Sequence, residues 1–214
     1  MIYEKNMTIE TPKNEYILND LRFLIDGWKN INSQKELQKG MTIKLLIYGI
    51  GNLGRNDDGL GPKVLTSLEE FNWSDSIQLQ CNYQLNIEDA LELSNFDLVL
   101  FIDAKKIHMG SEVLSTNKDY SIEKINGTKD ISFSTHAMSF GAVVGLCEEL
   151  YQKKPEAYLI TIPGYSWEIC EELSPRALIH YQRTLEDLIQ ILHCISQMSN
   201  SSKLENISKQ INAI

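Results

Sequence analysis

No apolar run approaches the roughly 18 residues that a membrane-crossing helix needs, so no membrane insertion is expected. The opening Met1-Ile2-Tyr3-Glu4-Lys5-Asn6 lacks a basic stretch followed by an apolar one, which argues against export. None of Cys81, Cys147, Cys170 and Cys194 stands in a CxxC pair, so neither a zinc ribbon nor a thioredoxin-type motif is indicated. Cys147 and Cys194 fall in apolar helical patterns, where a buried free thiol is the ordinary state, and a reducing cytoplasmic setting is expected. The HExxH pair of a thermolysin-like zinc site is missing, as is the Gly-x-Ser-x-Gly elbow of a serine hydrolase. Positive charge is also short: 20 Lys and Arg stand against 29 Asp and Glu, for a net charge of −9 and a pI near 5.0. Broad binding to nucleic acid or anionic membranes needs a basic face and is not expected.

What is present suits one ordinary domain with an appendage. The chain has 214 residues, 43% of them hydrophobic and 23% charged, enough for a sizeable core. Residues 1–41 read as an N-terminal extension with one amphipathic helix, Ile17, Leu21, Leu24 and Trp28 sharing a face of Tyr16–Asn30. Residues 42–198 read as an α/β domain and 199–214 as a polar C-terminal tail. Strands are expected at Ile43–Tyr48, Ile77–Tyr83, Asp97–Ile102 and Tyr158–Ile162, with short ones at Glu112–Leu114 and Tyr120–Ile125. Helices are expected at Leu60–Phe71, Ile87–Leu93 and His136–Tyr151, the last capped by Ser134 or Thr135 and burying Phe140, Val143, Val144, Cys147 and Leu150. Ser174-Pro175 is a cap followed by a first-turn proline. It opens a long helix burying Leu178, Tyr181, Leu185, Leu188, Ile189, Leu192 and Ile195 and fraying from Ser196. Strands alternating with helices give a three-layer α/β sandwich, a twisted and mostly parallel sheet with helices on both faces.

The most informative stretch is Tyr48-Gly49-Ile50-Gly51-Asn52-Leu53-Gly54-Arg55-Asn56-Asp57-Asp58-Gly59. Gly49-x-Gly51-x-x-Gly54 after a strand formally matches a dinucleotide fingerprint. Asp57 and Asp58, however, stand where a pyrophosphate would approach, and the second strand closes on Gln80-Cys81-Asn82-Tyr83 rather than on a ribose-binding carboxylate. A turn that aims carboxylates attracts a cation instead. Asp58 after the first strand, Asp103 after the third and His136 at a helix start all fall at the carboxyl edge of the sheet, where ligands of open parallel sheets bind. Two carboxylates and an imidazole suit a borderline divalent ion such as zinc or nickel. Singly, each has a plainer role: helix cap, loop acceptor, surface histidine.

These residues resemble the hydrogenase maturation proteases. The likeness rests on Gly49-Ile50-Gly51-Asn52, on Asp57-Asp58-Gly59-Leu60-Gly61, on Phe101-Ile102-Asp103-Ala104 and on Ser134-Thr135-His136. Ile162-Pro163, Glu168 and Leu173-Ser174-Pro175 add a similar C-terminal segment, and the likeness spans roughly residues 42 to 195. Gly54 stands where many members carry a bulky apolar residue. The resemblance implies an endopeptidase that removes the C-terminal extension of a [NiFe]-hydrogenase large-subunit precursor once nickel has been inserted. It places the catalytic and metal-contacting roles on Asp58, Asp103 and His136, the nickel being the precursor's own rather than a resident cofactor. Asp57 is then the nearest carboxylate for a general base. A non-catalytic nickel-state sensor or chaperone on the same fold is the alternative, and a dinucleotide-binding oxidoreductase a more distant one. His108 falls in a loop, His180 and His193 on the solvated side of the last helix, and Tyr165 and Trp167 are either anchors for the precursor or packing residues.

Overall fold

A computed structural model describes residues 25–33, 43–107, 119–128 and 138–211, with side chains to 197 in the last segment. Five strands, β1 (Leu45–Ile50), β2 (Ile77–Asn82), β3 (Leu98–Lys106), β4 (Ser121–Ile125) and β5 (Glu156–Gly164), form one sheet in the order β2-β1-β3-β5-β4. The three inner pairings are parallel, and β4 closes one edge antiparallel to β5. The expected mostly parallel α/β sheet is therefore what the chain forms.

Alternation along β1 explains the layers. Leu45 and Ile47 enter one apolar cluster, with residues of α2 (Leu60–Leu68) and α5 (Pro175–Ile211). Leu46, Tyr48 and Ile50 enter the other, with residues of α3 (Asp89–Leu93) and α4 (Phe140–Tyr151). A strand covered on both faces is apolar at every position, as β1 is. Residues 25–33 are helical (α1), and their Trp28, 3% exposed, joins the α2 and α5 cluster. Residues 16–24 of the expected N-terminal helix lie outside the described segments. Among the described residues, no helix is long and apolar enough to cross a membrane.

Element boundaries moved where hydrogen bonding outvoted hydropathy. β3 runs on past the expected Ile102 to Lys106, because β5 continues beside it and pairs Asp103 with Thr161 and Lys106 with Gly164. Asp103 is thus inside a strand rather than after one. α4 begins at Phe140, four residues after the expected His136, since Ser139 accepts the Ala142 N–H at 3.1 Å and caps the helix itself. Its Leu150 is 55% exposed rather than inward. α5 continues past Ser196 to Ile211, with no glycine or proline after Pro175 to stop it. Its buried face is the expected one except at its start, where Ala177 and Thr184 are inside and Leu178 is 42% exposed, while Tyr181, Leu185 and Ile189 are partly buried against the core. Thr184 tolerates burial because its hydroxyl donates to the His180 carbonyl at 2.7 Å. Leu188, Leu192 and Ile195 are buried as expected, each contributing roughly 1.5–3 kcal/mol.

One close approach sets where the first helix starts. A Cβ on Gly61 would lie 2.5 Å from the carbonyl oxygens of both Ile50 and Ile102, and one on Gly49 2.9 Å from the Gly61 main chain. The first turn of α2 is thereby seated on the carboxyl ends of β1 and β3. In an open helix, Gly→Ala is stabilising by about 1 kcal/mol. At this contact Gly61→Ala is expected to destabilise by about 1–3 kcal/mol, as overpacking does. Urea unfolding measures this, and a stabilised variant would contradict the contact.

Candidate active site

The chain leaves β1 through a turn that only glycine permits. Gly51 has φ 139°, and its missing side chain leaves room for the Asp58 carbonyl. That carbonyl accepts the Asn52 N–H at 3.1 Å, while Asp58 N–H donates to the Arg55 carbonyl at 3.0 Å. A 3-10 turn, Asn56–Gly59, then separates the glycine turn from α2. A pyrophosphate has no seat here: the 3-10 turn carries two aspartates and the α2 start is closed on strand carbonyls.

A second segment, 164–174 after β5, is stitched along this turn. Asn56 N–H donates to the Cys170 carbonyl at 2.6 Å and Cys170 N–H to the Gly54 carbonyl at 3.0 Å. Asn56 sits at φ 41°, a left-handed conformation that asparagine tolerates. Its side chain donates to the Glu172 carbonyl at 2.6 Å and accepts from the Ser166 hydroxyl at 2.9 Å.

Asp57 is the centre of this seam and is fully buried. Its Oδ2 accepts the N–H groups of Tyr165 at 2.6 Å and Ser166 at 2.9 Å, and the Ser174 hydroxyl at 2.7 Å. Its Oδ1 accepts the Ser174 N–H at 2.7 Å. A carboxylate so engaged and fully buried is closed off from solvent. Asp57 is therefore a structural residue, not the general base that its position in the sequence suggests.

Asp58 points the other way. Its Oδ1 accepts the indole N–H of Trp167 at 3.3 Å, and among the described residues no donor reaches its Oδ2. Asp103 is close enough to feel it. Burial pushes the Asp103 carboxyl up to about 6, the Ala104 amide at 2.7 Å on its Oδ1 opposes this, and the Asp58 charge adds to the rise. The structure thus places Asp58 and Asp103, two of the three expected site residues, so that the Asp58 charge acts on Asp103, each with one oxygen uncommitted among the described residues. Such a pair is short of positive charge and fits a divalent cation, with oxygen donors from two separate elements.

His136 and His108 lie outside the described residues. Among the described residues no group of three or more His, Cys, Asp or Glu side chains is placed to hold a metal. His180 and His193 are not solvated as expected. His180 lies between the Tyr165 hydroxyl at 2.8 Å and Asp119 at 2.9 Å, and Asp119 also takes Arg183 at 3.0 Å. His193 packs on Trp73 and Phe71, with ring centroids 5.0 and 6.1 Å away. Tyr165 is a packing residue too, with the Arg176 guanidinium 4.1 Å above its ring. The pattern of the sequence alone could not separate Asp57 from Asp58. It contained one signal for the seam, the Ser174-Pro175 cap, whose serine also serves Asp57.

The site and sheet define a class: a parallel α/β protein presenting a paired-carboxylate site at the carboxyl edge. No protein-family model and no curated protein matches the chain. Solved structures do. The [NiFe] hydrogenase maturation protease HycI from Thermococcus kodakarensis superposes with a TM-score of 0.56 at 25% identity, over 75% of this chain and 99% of that one. An endopeptidase from Escherichia coli matches with a TM-score of 0.54 at 18% identity, over 70% of this chain and 92% of that one, and supports the fold. By the first likeness the chain resembles the hydrogenase maturation proteases, a class of peptidases, in agreement with its motifs.

The raised Asp103 carboxyl has a measurable cost. Its ordinary value is near 3.8, so folding disfavours its ionised form. That penalty is complete above about pH 6 and is relieved as pH falls from there toward 3.8. Asp103→Asn is therefore expected to stabilise the protein near neutral pH by roughly 1–2 kcal/mol after solvent screening, about 3–6 °C in midpoint. Thermal melts at about pH 7.5 and about pH 4 should show the gain at the first and its loss at the second.

Proposed function

We propose that this chain is an endopeptidase that removes the C-terminal extension of a nickel-loaded [NiFe]-hydrogenase large-subunit precursor in the cytoplasm. The observation that carries the reading is the Asp58–Asp103 pair at the carboxyl edge of a fold that the HycI protease of Thermococcus kodakarensis shares. Asp58, Asp103 and His136 would engage the precursor's nickel, which enters as part of the substrate. Docking on that ion sets the register of the extension, so the peptide bond to be cut is presented only when the precursor is loaded. The ion can polarise the scissile carbonyl or activate a water, which adds to the carbonyl carbon before the C–N bond breaks and the amine leaves with a proton. Asp57, bonded on both oxygens, takes no part in proton transfer. The four cysteines are free thiols, which supports a reducing cytoplasmic setting.

Purified precursor, with and without nickel, tests the proposal directly. The nickel-loaded form should be shortened by the wild-type protein and the nickel-free form left whole. Asp103→Asn and His136→Ala should each slow processing by at least about 100-fold, the scale of a misplaced reacting centre. Normal trimming by either variant would remove these residues from the site. Binding of the loaded precursor with no trimming would instead support a non-catalytic nickel-state sensor.

A further inference from the structure

We propose that Trp167 is the positioning residue that orients Asp58 toward nickel; this rests on the reading that Asp58 meets the precursor's ion. A carboxylate on a short turn rotates freely unless an outer partner holds it, and the outer partners of metal ligands are what set their aim. Trp167 is placed to do this for Asp58. Its indole N–H, a donor with no acceptor function, reaches Asp58 Oδ1 at 3.3 Å. One oxygen is thereby engaged and Oδ2 is left for a cation.

The indole is itself held from several sides. A Cβ on Gly164 would come within 2.5 Å of the Trp167 ring, so the outer edge of the indole packs against the end of β5 because residue 164 has no side chain. The Lys106 ammonium is 5.3 Å from the ring centroid on the strand that carries Asp103. The Trp167 carbonyl accepts from Arg55 Nη2 at 3.2 Å, and the two preceding amides are locked on Asp57. Trp167 therefore links the buried seam to the half-buried Asp58 carboxylate. The rigidity that Asp57 confers on residues 165 and 166 reaches Asp58 through the indole rather than only along the 3-10 turn. Trp167 is half-buried and acts on the site through its bond to Asp58, so its role is to aim, not to react.

The experiment is a double-mutant cycle read by calorimetric titration with Ni²⁺ alone, using full-length protein and Trp167→Phe, Asp58→Asn and the combined variant. Phenylalanine keeps an aromatic ring on Gly164 and removes only the indole and its donor. Trp167→Phe is expected to weaken Ni²⁺ binding by about 10–100-fold. Asp58→Asn should weaken it further, and adding Trp167→Phe to Asp58→Asn should change nothing more. Equal affinity of Trp167→Phe and wild type would overturn the positioning role while leaving Asp58 as a ligand. Wild-type affinity in Asp58→Asn would overturn the underlying reading and the proposal with it; where free Ni²⁺ binds too weakly to titrate, the ion being the precursor's own, the indole resonances below decide. If Trp167→Phe fails to fold, the ¹⁵N indole resonances decide: that of Trp167 must move in Asp58→Ala while those of Trp28 and Trp73 stay, and an unmoved Trp167 resonance would overturn the contact.

Discussion

The carboxylate of Asp57 is the interaction on which the rest of the site depends. Four hydrogen bonds from Tyr165, Ser166 and Ser174 converge on it, and it is fully buried. Removing an ionised carboxylate from water costs several kcal/mol. Charge-assisted bonds from main-chain N–H groups, about twice as strong as neutral ones, offset that cost when every lone-pair direction is used. The result is a staple between segments more than a hundred positions apart in the chain. One side is the turn after β1; the other is the exit of β5 and the first residues of α5. Ser174 sharpens the economy of the arrangement, since the side chain that serves Asp57 also caps α5 through the Ala177 N–H at 3.4 Å.

The next residue has the opposite fate for a geometric reason. In a 3-10 turn successive side chains diverge by about 120°. If Asp57 is drawn into the seam, Asp58 must face out, toward the carboxyl ends of β1 and β3. There it meets Asp103, and the mutual repulsion of the two carboxylates is part of why Asp103 holds its proton to about pH 6. This instability is local, and on the proposed reading a site electrostatically unsatisfied by protein groups is one that gains by taking a cation. The glycines serve the same end. Gly51 lets the Asp58 carbonyl close on the turn, and Gly61 lets α2 sit on the strand ends.

Much of this was legible in the sequence. The apolar β1 and β3, the glycine turn and the Ser174-Pro175 cap all read correctly, because each is a local pattern with a local cause. What was not legible came from partners distant in the chain. β3 outruns its apolar stretch because β5 pairs with it to Gly164. Asp57 looks as free as Asp58 until the 165–174 segment folds onto it. His180, on a helix face that reads as solvated, is taken up by Asp119 and Tyr165 from two other segments. Trp167 carried no sign of its link to Asp58, since an aromatic in a loop is equally suited to packing or to docking. At the start of α5, Ala177 and not Leu178 faces the core, and Thr184 is buried because its hydroxyl bonds its own helix.

The central claim is that adjacent aspartates divide the work, Asp57 holding the site together and Asp58 facing its ligand. Urea unfolding of Asp57→Asn and Asp58→Asn, side by side at neutral pH, tests it most directly. An amide at 57 puts an N–H₂ against N–H donors, and the account predicts a loss of about 2 kcal/mol or more. At 58, a half-buried carboxylate holding one long hydrogen bond, it predicts a change within about 1 kcal/mol. Equal losses in the two variants, or the larger loss at 58, would contradict it.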